Sequence, residues 1–145
     1  MVRKHQNFTW EGVDIHPYKE DGGTHFKSIT RQTLLEDVEG LPVEMRYFEM
    51  QADGHSTLER HNHIHMVMII RGSGEVLVGD TITKIAEQDV VHVQPMTWHQ
   101  FRATNGEPLG FLCIVASDRD KPQRPTPEDL ENLRLERAVS DFIRI

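Results

Sequence analysis

The chain has 145 residues, of which 37% are hydrophobic, and its formal net charge is −7. This length suits a single domain. The acidic balance argues against a nucleic-acid partner, because phosphate binding needs a basic face. No stretch approaches the roughly 18 apolar residues of a membrane span, so we expect no membrane partner either.

The single cysteine, Cys113, lies in an apolar segment. One cysteine cannot form a disulfide within its own chain, and a buried core thiol is the better interpretation. The first residues are polar and carry no apolar signal region. Together these features predict a cytoplasmic protein.

The chain divides into three stretches, of which the first two are an N-terminal arm and a β-rich domain. Residues 1–25 are polar and predict an irregular arm, either a partly ordered tail or an arm exchanged with a second subunit. Across residues 26–120, short alternating or apolar segments are separated by turn signals. Many short strands at this spacing predict an all-β barrel or sandwich. The predicted strands are Phe26–Thr33, Val43–Gln51, Thr57–His61, His65–Arg71, Glu75–Val78, Thr81–Ile85, Val90–Gln94, His99–Thr104 and Leu109–Ala116.

Residues 121–145 predict a short helical extension of the same domain. Thr126 suits an N-cap, Pro127 suits the first helical position, and two acids follow in the first turn. Apolar residues then recur at helical spacing, so we expect one or two helices over Pro127–Ile143 that lie on the barrel.

Three histidines at alternating positions, His61, His63 and His65, carry the strongest chemical signal. In a strand, residues two apart point to the same face. Three imidazoles on one face need polar partners when they are buried, and a divalent metal partners all three at once. Imidazole ligands favour Fe, Mn, Ni, Zn or Cu, which the sequence does not distinguish, over Ca²⁺ and Mg²⁺.

The segments Gly54–Gly74 and Gln88–Asn105 resemble the two motifs of the cupin superfamily. His65, separated from Gly72 by six residues, stands where the family usually has an acid, and His99 stands in the histidine position of the second motif. The resemblance covers roughly residues 40–116. It implies a double-stranded β-helix, the jelly-roll barrel of cupins, in a small single-domain cupin-2-like protein with an all-histidine metal site.

The resemblance leaves two ligand sets open for the first motif. One set uses His61 and His63 with His65 and His99. The other places Glu59 in the first position, keeps His61, His65 and His99, and leaves His63 in a turn; otherwise Glu59 would hold an imidazole by its second N–H. A third alternative is a barrel that has lost its metal and keeps the histidines as a hydrogen-bonded network.

Three or four protein ligands leave coordination positions open, which is typical of catalytic sites. Neutral imidazoles leave the metal its full charge, so we expect a small, anionic, chelating organic substrate and oxygenase (for example dioxygenase), isomerase or lyase chemistry. The alternative is a non-catalytic barrel that binds or senses a small molecule. Similarity to other small cupins implies a homodimer. Candidate pocket residues are Trp98, His92, Met68 and Phe101.

Overall fold

The computed structural model describes residues 1–20 and 22–145, which form an antiparallel β-sheet curled into a barrel, with an N-terminal arm and two short C-terminal helices. The predicted all-β barrel is confirmed. The strands are β1 (His5–Gln6), β2 (Thr9–Trp10), β3 (His16–Pro17), β4 (Lys27–Glu36), β5 (Val43–His55), β6 (His65–Arg71), β7 (Ser73–Val78), β8 (Thr81–Ala86), β9 (Val90–Val93), β10 (His99–Arg102) and β11 (Leu109–Ala116).

The long strand β5 organises the sheet. The strand order is β8-β7-β10-β5-β11-β6-β9, and β4 adds to β5 while β3 adds to β4. Because β5 pairs β11 along its first part and β10 at His55, the sheet must curl around it. This curl brings the beginnings of β6 and β10 to the same region of the barrel interior.

Strand alternation separates an interior face from an exterior face. Phe48, Ile69 and Phe111 lie in the main buried cluster of the barrel. The neighbouring Tyr47 points outward, where the arm covers it: its ring stacks on Phe8 with centroids 5.9 Å apart. The arm therefore contains a short β1–β2 hairpin that packs on the sheet, rather than being irregular throughout.

The C-terminal extension forms two helices, α1 (Pro127–Leu133) and α2 (Arg137–Phe142). Thr126 caps α1 in a reciprocal capping box with Asp129, as the sequence predicts. α2 packs Val139 and Phe142 into a second buried cluster on the outside of the barrel. Among the described residues, no helix is long and apolar enough to cross a membrane.

Most predicted strands are present with ends shifted by a few residues, but the strand over Thr57–His61 is wrong. That stretch connects β5 to β6 and makes only isolated bridges, Glu59 to His99 and Arg60 to Gln123. Two different partner segments thus hold its backbone, so no continuous ladder forms. The connection is nevertheless buried, and it carries His61 into the barrel.

Candidate metal centre

Three imidazoles meet inside the barrel. His61 lies in the connection between β5 and β6, His65 begins β6, and His99 begins β10. Each of the three rings has one nitrogen that could bind a metal, and these three nitrogens all lie within 4.8 Å of one another. His61 and His99 are only 1% and 3% exposed, so the cluster is shielded from bulk water.

The backbone fixes which nitrogen of His61 and His99 faces the cluster. The Nδ1 atom of His61 lies 2.7 Å from the carbonyl oxygen of His63, and the Nδ1 atom of His99 lies 3.0 Å from the carbonyl oxygen of Thr97. A carbonyl only accepts, so both Nδ1 atoms carry the proton and both Nε2 atoms keep a lone pair. The Nε2 atom of His61 is buried without any hydrogen-bond partner. This is the arrangement in which imidazoles bind a metal.

His63 approaches the same cluster from the loop before β6. Its Nε2 atom lies 3.3 Å from the Nε2 atom of His65, and its ring lies parallel to that of His61 with centroids 3.6 Å apart. Its Nδ1 atom lies 2.8 Å from Oδ1 of Asp120. Two nitrogens bound to one ion at about 2.1 Å lie at most about 4.2 Å apart, so His63 and His65 can share an ion.

Asp120 holds this loop in place. Its carboxylate accepts hydrogen bonds from the backbone N–H groups of Asn62 (2.8 Å) and His63 (3.0 Å), in addition to the His63 ring. The backbone hydrogen bond from Asn62 is the largest of the effects that hold the pKa of Asp120 well below its usual range. A carboxylate behind an imidazole fixes the ring and raises its basicity toward a metal.

Glu59 is buried beside the cluster and pairs with Lys19. The Lys19 Nζ atom lies 2.6 Å from Oε2 of Glu59, which is 5% exposed. Among the described residues, the group whose ligand atoms converge comprises His61, His65 and His99, and it includes neither Glu59 nor His63. The carboxylate therefore contributes negative charge near His99 while its own charge is offset by the lysine.

The clustered imidazoles are neutral at ordinary pH. Burial, followed by the neighbouring rings of His99 and His63, lowers the pKa of His61 to about 4. Burial is also the first cause that lowers the pKa of His65 and of His99. Neutral rings with unpaired nitrogens can accept a metal ion without first losing a proton.

A cavity of about 530 Å³ opens onto this cluster. His63, His65 and His99 line it together with apolar rings and a set of charged side chains. In the described part of the chain, four basic residues and two acids line the cavity, which contrasts with the acidic chain as a whole. The basic residues are Lys19, Arg31, Arg46 and Arg119, and the acids are Glu20 and Glu59.

The four pocket residues suggested by the sequence lie in different places. Phe101 lines the cavity. Trp98 packs against the second buried cluster, where Arg60 lies 4.4 Å from its ring centroid. Met68 lies outside the barrel with His92, because the inward position of His65 on β6 turns Met66 and Met68 to the opposite face.

Sequence reasoning missed Asp120 and Arg46. Asp120 lies in a charged loop that looks solvated, and only the fold brings it to His63. Arg46 did offer a signal, since the next two residues on its strand face, Phe48 and Met50, are apolar. The convergence of three imidazole nitrogens fits a divalent transition metal, and His61, His65 and His99 would hold it.

Comparison with known proteins gives the family. The residue pattern described as the cupin domain matches residues 46–115. A curated protein of Rhodospirillum rubrum, named 1-methylthio-D-xylulose 5-phosphate methylsulfurylase, is 50% identical over 94% of this chain and 86% of its own length.

Two crystal structures agree with this match. A cupin 2 conserved barrel domain protein from Rhodopseudomonas palustris is 49% identical, with a TM-score of 0.94 over 100% of both chains. A cupin-2 domain protein from Rhodospirillum rubrum is 47% identical, with a TM-score of 0.87 over 98% of this chain and 95% of the other. The chain therefore belongs to the cupin family, as a small cupin-2 barrel with a three-histidine cluster in its interior.

Proposed function

We propose that this protein is a metal-dependent enzyme that acts on 1-methylthio-D-xylulose 5-phosphate or a close analogue. The observation that carries the proposal is a cluster of three imidazole nitrogens, one of them without a hydrogen-bond partner, at a cavity lined by basic side chains. The relative from Rhodospirillum rubrum, 50% identical over almost the whole chain, is named for an activity on this compound.

The cavity suits such a substrate in size and charge. Its volume of about 530 Å³ lies within the usual range for small-molecule sites, about 300 to 1,000 Å³. A ketose phosphate combines carbonyl and hydroxyl oxygens, which can chelate a metal, with a phosphate, which needs positive charge. The carbonyl and hydroxyl oxygens match the imidazole cluster, and the phosphate matches the excess of basic residues.

Each part of the cavity has a distinct task in this proposal. His61, His65 and His99 would hold the ion, with His63 as a fourth ligand, and a bound Fe, Mn, Ni, Zn or Cu ion would polarise the substrate carbonyl. Phe48, Phe101 and Phe111 supply an apolar wall for the methylthio group.

The phenol of Tyr18 also lines the cavity. Burial, followed by the charge of Glu59, raises its pKa well above the usual value, so the phenol keeps its proton. A protonated phenol can donate a hydrogen bond to an oxygen of the substrate. Tyr18 thereby gives the cavity a neutral donor in addition to its charged residues.

The test is turnover by metal-defined protein. Elemental analysis gives the metal content, and mass spectrometry follows loss of the substrate and identifies its product. We expect turnover to stop when a chelator removes the metal and to return when metal is added back. His61→Ala and His99→Ala should abolish both turnover and metal binding. Protein with a full complement of its native metal that binds the compound and leaves it unchanged would overturn the enzyme proposal in favour of a sensing barrel.

We also propose that the protein is a homodimer formed through the outer face of β5, β11, β6 and β9. The register of these strands brings together an apolar patch made of Met45, Met66, Met68, Val90, Leu112 and Ile114. His92 lies opposite Met66 in this patch, and the ion pair of Arg71 with Glu49 lies on the same outer face. Met66 is 48% exposed and Val90 is 72% exposed. In a chain of net charge −7, a neutral face lets two copies meet without bringing like charges together.

Light scattering tests the dimer. We expect a dimer for the unaltered chain and a monomer for Met66→Glu, which places a charge in the face. Leu135→Glu is the matched control, because Leu135 is 80% exposed outside this face. A monomeric unaltered chain, or a dimer that persists in Met66→Glu, overturns the proposal.

A further inference from the structure

One arginine inside the barrel lacks an adequate partner. Arg46 points from β5 into the cavity and is only 8% exposed. Its Nε atom is buried without a hydrogen-bond partner, and its Nη2 atom contacts the sulfur of Cys113 at 3.7 Å, a weak acceptor. A guanidinium so deeply buried normally has a carboxylate bound to it, because the charge is costly to remove from water.

The nearest carboxylate belongs to a different arginine. Glu44 lies 3.7 Å from the Nε atom of Arg46, which is beyond hydrogen-bond distance. The same carboxylate accepts two hydrogen bonds from the guanidinium of Arg119, at 2.8 and 3.0 Å. Glu44 therefore hydrogen-bonds Arg119. The guanidinium of Arg46, which also lies 5.1 Å from the ring centroid of Phe48, lines the cavity with its Nε donor unbonded.

A second arginine stands next to the first. In the pairing of β4 with β5, Arg31 lies opposite Phe48 and Thr33 lies opposite Arg46, so the two arginines are diagonal neighbours on the cavity side. The Nε atom of Arg31 is also buried without a partner. Its ion pair with the largely exposed Glu20 is long, at 3.8 Å.

We infer that Arg46 and Arg31 form a subsite for the phosphoryl group of the substrate. Two adjacent guanidinium groups with open donors match a tetrahedral dianion, which accepts several hydrogen bonds at once. Arg31 and Arg46 line the same cavity of about 530 Å³ as His65 and His99, so one small molecule can reach both the subsite and the imidazole cluster. The choice of a sugar phosphate as the ligand rests on the proposed function, and Arg46 and Arg31 are the residues that would select its phosphoryl group.

Binding of D-xylulose 5-phosphate and of D-xylulose to the metal-loaded protein tests the subsite by calorimetry. Neither probe carries the methylthio group, so binding is measured without turnover. We expect the phosphorylated sugar to bind at least tenfold tighter than the free sugar. Arg46→Gln and Arg31→Gln should each reduce that preference about tenfold. Arg137→Gln, at a position 95% exposed on α2, is the matched control and should change nothing.

Stability and metal content separate a binding role from a structural role. Because Glu44 keeps Arg119, removal of Arg46 orphans no carboxylate, and ligand-free Arg46→Gln should melt at or above the temperature of the unaltered protein with its metal content unchanged. A lower melting temperature with loss of metal in Arg46→Gln, or undiminished preference for the phosphorylated sugar in both variants, overturns the subsite. Phosphate-dependent binding that both variants lose supports it even if 1-methylthio-D-xylulose 5-phosphate is not consumed, which refutes the proposed function alone.

Discussion

Replacement of Asp120 by asparagine should weaken metal binding without unfolding the barrel. The carboxylate accepts three hydrogen bonds, two from backbone N–H groups and one from the His63 ring. Asparagine has only one accepting oxygen, and it carries no charge to hold the imidazole. The ring of His63 would then lose both its fixed orientation and part of its basicity.

The expected size of the effect follows from the position of Asp120 behind a ligand. Loss of a carboxylate behind a metal-bound histidine reduces metal affinity about 10- to 100-fold, or about 1.4 to 2.7 kcal/mol. The metal-free protein should lose little stability, because the side chain is 33% exposed and water can replace part of its hydrogen bonding. Metal binding should therefore suffer more than folding.

Competition with a chelator of known affinity measures the effect, with elemental analysis to confirm stoichiometry. Asp118→Asn is the matched control, because Asp118 is an exposed acid two residues earlier in the same loop. His63→Ala and Glu59→Gln, measured in parallel, decide between the two ligand sets left open by the sequence. If His63 is a ligand, His63→Ala lowers affinity strongly and Asp120→Asn adds little to it, because both changes remove one interaction. Equal metal affinity in Asp120→Asn and Asp118→Asn would refute the reasoning.

Three further predictions concern stability and charge. Gln100→Ala should lower the free energy of unfolding by about 2 to 3 kcal/mol in urea titrations, because the buried amide hydrogen-bonds Ser56 and both backbone groups of Arg144; a loss no larger than that of the exposed Gln51→Ala would contradict this. Metal-free protein should lose stability as the pH falls from 6.5 towards 4, and its stability should change little between about pH 7 and 8. The pKa of His61 is about 4 when folded, so the unfolded chain takes up the proton first, and a flat profile over that range would exclude the effect. Arg46→Gln should raise metal affinity in the absence of ligand and weaken the tightening of metal binding by D-xylulose 5-phosphate, which titrations with and without the sugar phosphate compare.

The fold was predictable where local patterns coincide with the elements. The strands His65–Arg71 and Leu109–Ala116 begin and end as the apolar runs suggest, and Thr126 and Pro127 mark the start of α1. The prediction of a strand over Thr57–His61 was wrong because apolar and polar residues also alternate in an extended segment that makes only isolated β-bridges. Alternation describes the backbone of one segment and carries no information about its partners.

The site was predictable only in part. His61, His65 and His99 were identified from two motifs, and the fold brings them together. Consistent use of the period-two rule from His65 would have placed Met68 on the outer face. Asp120 and Arg46 could not be assigned roles, because each acts on residues more than 50 positions away, His63 and Cys113 respectively, and only the folded chain sets those distances.

The identity of residue 65 links the metal cluster to the charge of the cavity. A glutamate at this position, as the cupin motif usually has, would cancel part of the charge of a bound ion and repel an anionic substrate nearby. A neutral histidine leaves the full charge of the ion, and Lys19 offsets the one carboxylate, Glu59, that is buried beside the cluster. Together with the open donors of Arg46, this makes the cavity of an acidic protein positive. Burial of this positive charge lowers the stability of the ligand-free protein, and in the proposed function the binding of an anion offsets that loss. The same groups would thereby select the ligand.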